Sequence, residues 1–508
     1  GGTWNAGAVL LRIDGSLTVN NGTLNIATSV AGTLIVDLTT TMNGGVLNIS
    51  SNIGVGTATF TGAVTLNGGQ LNLANGTTIA GTGTATAAAI NVLGGLFVVS
   101  NSAAAGTLTQ SGVLTINGGT FRMTTTTGAA TVNLNNNLTQ TSGSFVRLGS
   151  GVASFIIGGG VIQTRNWTQG ATFTMSGLTT FTMSGTLTTL RLMSDVNIGG
   201  ATININSGFF INLQGFVISG GVGSVYRSYN GSRFTTSHAG GIALAPAATG
   251  CIQTATRYFG GSVIWTYNGS VAQVTGTAFP GSVDGFTLNN PAGLTLNVNM
   301  RIQNTNNLTL TNGNITLGNF NLTLQAGATI GGGANSATKM IITNGTGMLV
   351  KIFTSASSYT YPIGDNTGTA EYSPVTLNFS TLSGTPDSIG MRVTDAQHPN
   401  DFSVTNYLSR YWTCDQKAGA TYTYVATFRY VDADIVGIES VLKVDRWSNP
   451  LTTWTQDAGS SVNIAANTLT TSSLNQTTGT LLNNDFASRS ELPFYYQTAA
   501  SGPWSTVG

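Results

Sequence analysis

Side chains able to do chemistry are scarce in this chain, and their spacing is uninformative. The only histidines are His238 and His398, and neither has a Cys or His companion at metal-ligand spacing. Both read as surface or loop residues. Cys251 and Cys414 stand 163 positions apart, and a disulfide needs Cα atoms within about 7 Å of each other. They read as two unpaired buried thiols. Sugar-cleaving enzymes need two carboxylates flanking one bond a few Å apart. The first half offers Asp14, Asp37, Asp195 and Asp284 at irregular intervals, which argues against a polysaccharide lyase or hydrolase. Asp432, Asp434 and Asp445 supply the oxygens calcium prefers, but no glycine-bearing calcium loop frames them, so they read as solvated. Aromatic residues stack on sugars or fill cores. Trp412, Trp447, Trp454, Tyr422 and Tyr424 are candidates for glycan stacking, most of them expected in the sandwich core, and Trp265 with Trp412 are the positions singled out for that role. No catalytic residue, metal ligand or cofactor site is expected.

What positions these residues is a repeat. Asn21-Gly22-Thr23-Leu24, Gly44-Gly45-Val46-Leu47, Gly68-Gly69-Gln70-Leu71, Gly94-Gly95-Leu96-Phe97, Gly118-Gly119-Thr120-Phe121 and Ser142-Gly143-Ser144-Phe145 are versions of one phrase. The markers Leu24, Leu47, Leu71, Phe97, Phe121 and Phe145 are separated by 23, 24, 26, 24 and 24 residues. A fixed period of that order signals stacked supersecondary units. Within each unit apolar residues alternate with Thr, Asn or Ser, which is the strand signal, and nothing shows helical spacing. A coil of about 24 residues divides into three faces of strand plus corner. The expectation is an all-β chain led by a right-handed parallel β-helix whose coils stack about 4.8 Å apart. Gly22, Gly45, Gly69, Gly95, Gly119 and Gly143 form its corners, the six markers form an inner ladder, and Asn21, Asn43, Asn67 and Asn117 stack as amides.

Organisation changes along the chain. Residues 1–220 read as the β-helix stalk. Residues 221–283 carry Tyr226, Tyr229, Tyr258, Trp265 and Tyr267 with Arg227, Arg233 and Arg257, and read as modified rungs or an excursion. Residues 284–350 read as a second helical block. Charged residues number 14 before Lys351 and 21 from there on. Longer strands with ordinary loops over 351–492 predict a C-terminal antiparallel β-sandwich that caps the open rungs, with 493–508 as a linker. Net charge is +1 and only 7% of residues are charged, so there is no basic stripe for nucleic acid. No run of about 20 apolar residues would span a membrane.

Several phrases of the second half occur together in order. They are Tyr267-Asn268-Gly269 with Gln273-Val274-Thr275-Gly276, Leu288-Asn289-Asn290-Pro291-Ala292-Gly293-Leu294, Tyr361-Pro362-Ile363-Gly364-Asp365 with Tyr372-Ser373-Pro374-Val375, and Arg410-Tyr411-Trp412. This set, over about residues 240–490, resembles the large repetitive surface proteins that gliding and related Gram-negative bacteria export by type IX secretion. The resemblance implies a secreted, cell-surface protein, an adhesin or filament component, often very long. It also implies a processed chain or part of a longer one. The end Trp504-Ser505-Thr506-Val507-Gly508 would run into a phrase like Gly2-Thr3-Trp4, as in a tandem array. Asp387-Ser388-Ile389 resembles the acceptor for O-linked glycans in these bacteria, with Ser388 as the acceptor. The expected function is non-enzymatic, a stiff module of a surface fibre that self-associates or joins neighbouring modules. A glycan-binding module for surface polysaccharide and a carbohydrate-active enzyme are the alternatives.

Overall fold

The computed structural model describes residues 1–6, 9–158, 163–177, 179–185, 188–243, 249–303, 307–384, 386–417 and 421–490. The ends of the chain that suggested a tandem array lie partly outside them, as do the linker residues 493–508. Among the described residues there is no α-helix, only two 3-10 turns at Asp432–Asp434 and Glu439–Val441. The chain divides into two units, Gly1–Val298 with Thr305–Thr311, and Asn299–Asn304 with Asn312–Gly508.

Unit 1 is a parallel β-solenoid. Each coil lays down three strand runs, and each run pairs in parallel with its counterpart one coil away. One side runs through Thr23–Ala27, Val46–Ser51, Gln70–Asn75 and Leu96–Ser100. A second runs from Gly32–Val36 through Gly56–Leu66 and Gly83–Val92 to Gly106–Gln110 and beyond. A third includes Leu17–Val19, Thr40–Met42 and the C-terminal part of Gly56–Leu66. Period-two alternation explains the burial: along Gly56–Leu66, Ala58, Phe60, Val64 and Leu66 turn inward while Thr57 and Thr59 face solvent. Parallel pairing coil on coil then stacks like residues.

Residues 221–283 belong to the same ladders. Val225–Ser228 pairs with Thr202–Ile205 on one side and Thr256–Phe259 on the other, and Arg233–Thr236 pairs with Ile264–Tyr267. The extra length of this coil falls between Arg233–Thr236 and Ile252–Gln253, where residues 244–248 lie outside the described residues.

Unit 2 opens with the same parallel habit and then abandons it. Leu322–Leu324 pairs in parallel with Met300–Ile302 and with Leu349–Phe353. The other edge of Leu349–Phe353 pairs antiparallel with Asp387–Thr394. That strand is the junction between the two topologies. From it the sheet continues antiparallel through Tyr411–Gln416, Asn484–Arg489 and Lys443–Ser448. A second antiparallel sheet is built from Ser358–Tyr361, Val375–Leu382, Tyr422–Arg429 and Thr468–Thr470. Their inner faces meet through Phe353 with Phe379 (ring centroids 5.3 Å apart) and Trp412 with Phe428 (5.0 Å). This is the expected sandwich.

Close approach of successive coils sets the glycine requirement. Gly69 has φ +69°, and a Cβ there would lie 2.6 Å from the Gly44 carbonyl and from the Gly45 oxygen. We expect Gly69→Val to cost roughly 2–5 kcal/mol from backbone strain plus overpacking. Gly261→Ala, which meets nothing within 4 Å, should leave the melting temperature unchanged. Thermal denaturation followed by circular dichroism checks both.

Candidate functional site

The predicted inner ladder forms in register. Leu24 pairs with Leu47, Leu47 with Leu71, Leu71 with Phe97, Phe97 with Phe121, and Phe121 with Phe145. Phe97 and Phe121 stack at 5.0 Å with an interplanar angle of 4°, and Phe121 and Phe145 at 5.5 Å. Each buried side chain contributes about 1.5–3 kcal/mol, and each aromatic pair about 0.5–1.5 kcal/mol more. Leu24, near the first rung, is only half-buried. Positive φ occurs at Gly22, Gly45, Gly69, Gly95 and Gly143, but in the fifth copy it falls on Gly118 (φ +108°) rather than Gly119. Gly119 is still required, because a Cβ there would lie 2.6 Å from the Gly94 oxygen.

Amide stacking occurs, with a shift of one residue at its start. Asn67 donates to Asn43 (2.9 Å) and Asn43 to Asn20 (2.8 Å), so Asn20 replaces Asn21 in the column. At the fifth copy Ser142 donates to Asn117 (2.8 Å). A second column was not anticipated: Asn72 donates to Asn48, Asn48 to Asn25, and Asn25 to Asn5, each at 2.7 Å. Its signal was present in the sequence as an Asn one place after each of Leu24, Leu47 and Leu71.

The candidate binding aromatics are core. Trp265 is fully buried against Phe234, Phe259 and Phe279, and Trp412 is 1% exposed against Phe428. Neither ring has a face to offer a sugar, because each sits at an inward position of its strand. Ser388 is half-buried on a strand paired on both edges, with its carbonyl accepting from the Lys417 amide. That is a poor site for a bulky glycan. Among the described residues the exposed aromatics are instead Trp4, Tyr229 and Tyr258 in unit 1 and Phe402 in unit 2.

His398 is buried, contrary to the surface reading. The Asn400 amide donates to its Nδ1 (3.1 Å), so Nε2 carries the proton and donates to Asp485 (3.1 Å). Tyr411, Trp447 and Trp454 pack around the ring. Burial pushes the Asp485 carboxyl up, but donors including His398 outweigh it and hold the group below the usual range. Cys251 and Cys414 are free and buried, and burial pushes both thiols up, Cys251 to about 12. Thiols so raised are poor nucleophiles.

The three aspartates considered for calcium do not converge. Asp432 accepts from Asn467, Asp434 binds Arg410, and Asp445 lies 3.4 Å from Arg489. The strongest polar cluster is one that sequence reasoning missed. Arg410, with no exposed side-chain surface, binds Asp365, Glu371 and Asp434 (2.6 Å), with Asp395 at 3.5 Å. Burial pushes the carboxyls of Glu371 and Asp395 up, with Arg410 opposing. The guanidinium fills the centre of this group and neutralises part of its charge. The cluster therefore holds the sandwich together rather than presenting open ligands.

The phrases that carry the family resemblance assemble at two buried places. In unit 2, Asp365 meets Arg410, the Trp412 indole donates to the Ser373 carbonyl (3.2 Å), and the Tyr361 hydroxyl donates to the Ile389 carbonyl (3.0 Å). In unit 1, the Gln273 carboxamide oxygen accepts from the Gly269 amide (3.0 Å) and from Asn290 (2.9 Å), while its nitrogen donates to the Thr236 carbonyl. Both are scaffolding networks.

Unit 2 has surface hollows of about 450 and 500 Å³. Each is lined by a single carboxylate, Asp457 or Asp415, and Asp457 already accepts from the Ser472 amide and hydroxyl. Neither offers the carboxylate pair that glycoside cleavage uses. Among the described residues, no helix is long and apolar enough to cross a membrane.

Two expectations follow for the buried charges. Arg410→Met leaves uncompensated carboxylates and should destabilise the sandwich by about 3–5 kcal/mol, read by chemical denaturation. Burial pushes the Asp445 carboxyl up to about 7, against Arg489. An unfolded Asp titrates near ~3.9, so the folded chain holds a proton that the unfolded chain has released between those values. Stability should fall as pH rises across that window, by at most about 1.4 kcal/mol per pH unit for this group. Asp445→Asn should flatten the slope in denaturation series at stepped pH. No protein-family model, curated protein or solved structure matches the chain.

Proposed function

We propose that the chain is a non-enzymatic, extracellular structural module, a stiff segment of a surface fibre or giant repeat adhesin of the type IX secretion kind. The observation that carries this reading is the succession of parallel coils in the described residues of unit 1, in register apart from local shifts at Ala87/Ala89 and between Ile116 and Thr120. Backbone hydrogen bonds between coils lie along the solenoid axis, so extension must break many in parallel. The remaining side-chain chemistry is spent internally, as the buried Arg410 and Gln273 networks illustrate.

Self-association or contact with neighbouring modules belongs to the same reading, since a further strand can pair with a coil as the coils of unit 1 pair with one another.

The expected outcome is mechanical. Single-molecule pulling of the full chain should give high unfolding forces in successive small steps, and unit 1 should outlast ordinary loops under protease. Turnover of any polysaccharide, abolished by replacing one aspartate, would sink the reading.

A further inference from the structure

On its second side, unit 1 presents a two-dimensional array of uncharged hydroxyls. The outward column begins Thr33, Thr57, Thr84, Thr107, Thr131, and continues through Ser154 and Thr180 to Thr202, each residue the register partner of the next. Two positions further along every strand runs a second outward column. Thr59, Thr86 and Thr109 form its centre, in register, followed by Asn133. Thr182 and Asn204 extend it, and its only apolar members are Ile35 and Ile156.

The array is regular in both directions. Along the axis its members repeat at the inter-strand spacing of about 4.8 Å, and across the strand at about 6.7 Å. Buried Ala58, Ala85, Leu108 and Val132 lie between the columns and support them from below. The register irregularity between Gly56–Leu66 and Gly83–Val92 falls at Ala87/Ala89, beyond the array. No position in either column is charged. Charge returns only at the ends, with Arg12 in register before Ile35 and Arg227 in register after Asn204. The Arg12 rung also brings the bulky Leu10 to the surface, and the rung after Arg227 brings Tyr258, over whose ring Arg227 lies at 5.1 Å.

A small soluble ligand would touch two or three rungs and gain nothing from the other five. A surface of this kind is matched only by a partner that is itself periodic in two directions and uncharged. We propose that this face binds ice. The oxygen rows of the ice lattice repeat at intervals close to both spacings of the array. Each threonine offers a hydroxyl that joins a water network and a methyl that water can cage, while the lack of charge leaves that water free to adopt the lattice order. Crystalline polysaccharide is the other periodic partner, but sugar rings are gripped by aromatic planes, and the array contains none. The inference is independent of whether the chain also serves as a stalk.

The experiment uses the fluorescently labelled full chain during slow growth of an ice hemisphere, measuring the fraction taken into the solid and the shape of single crystals. The wild type should enrich in ice and facet the crystals. Thr84→Tyr with Thr107→Tyr should lower incorporation at least tenfold. Thr115→Tyr, in the single hydroxyl column on the third side, should leave it unchanged. Circular dichroism establishes that each variant keeps its fold, and Thr107→Lys, which adds charge without bulk at the strand, should show the same loss if the tyrosine pair melts early. Exclusion of the wild type from ice overturns the proposal. So does equal behaviour of the two sides, or retention on crystalline cellulose or chitin in place of ice.

Discussion

Backbone pairing between successive coils, held in register, is the constraint from which the remaining features of unit 1 follow. Once residue and partner are fixed about 4.8 Å apart on every coil, whatever occupies one rung must tolerate its neighbours above and below. Apolar residues then become a continuous inner column, as from Leu47 to Phe145. Asparagines become hydrogen-bonded amide rows, as from Asn5 to Asn72. Corners must admit a neighbouring carbonyl at near-contact distance, which leaves glycine at Gly69 and Gly95. Charge is sparse, since a column of like charges at that spacing would repel along its whole length; where Asp14 and Asp37 occur, Arg12 binds both.

Unit 2 obeys a different logic. Its sheets are antiparallel, its partners are distant in sequence, and its stability is concentrated in a few buried polar clusters. Lys351, on the junction strand, shows how the change is managed. Its ammonium donates to the carbonyls of Gln325, Ala326 and Ala328 at 2.7–2.9 Å, satisfying backbone that no further coil covers. Burial pushes its pKa down to about 8, against three acceptors that favour the charged form. A few side chains thus do what a next rung would have done.

The solenoid was legible in the sequence because its contacts are local and repeat. One short phrase, seen six times, specifies coil length, corner and inner residue, and the register follows. Where the reading slipped, at Gly119 for Gly118 and Asn21 for Asn20, both candidates were adjacent residues of the same corner, and the sequence gives no means of choosing which one takes positive φ or points along the axis. The sandwich interior was not legible. Arg410 gathers Asp365 and Glu371 from one hairpin, and Asp395 and Asp434 from two further segments, and no spacing announces such a meeting. The tryptophans illustrate the same gap. Trp265 is an ordinary inward position of an alternating strand and Trp412 lies on a strand buried on both faces at that point, so place in the strand decided their fate, not aromatic character.

The stacking of Phe97 on Phe121 and of Asn72 on Asn48 also bears on how such a chain changes over generations. Because a coil meets only the ones directly above and below, a whole coil can be duplicated or excised and the flanking pair will close on each other with equivalent partners. Gene segments one period long are therefore the natural currency of variation in unit 1, and length can drift while the cross-section stays fixed. The sandwich permits no such editing, since removing any one strand strands the partners of Arg410.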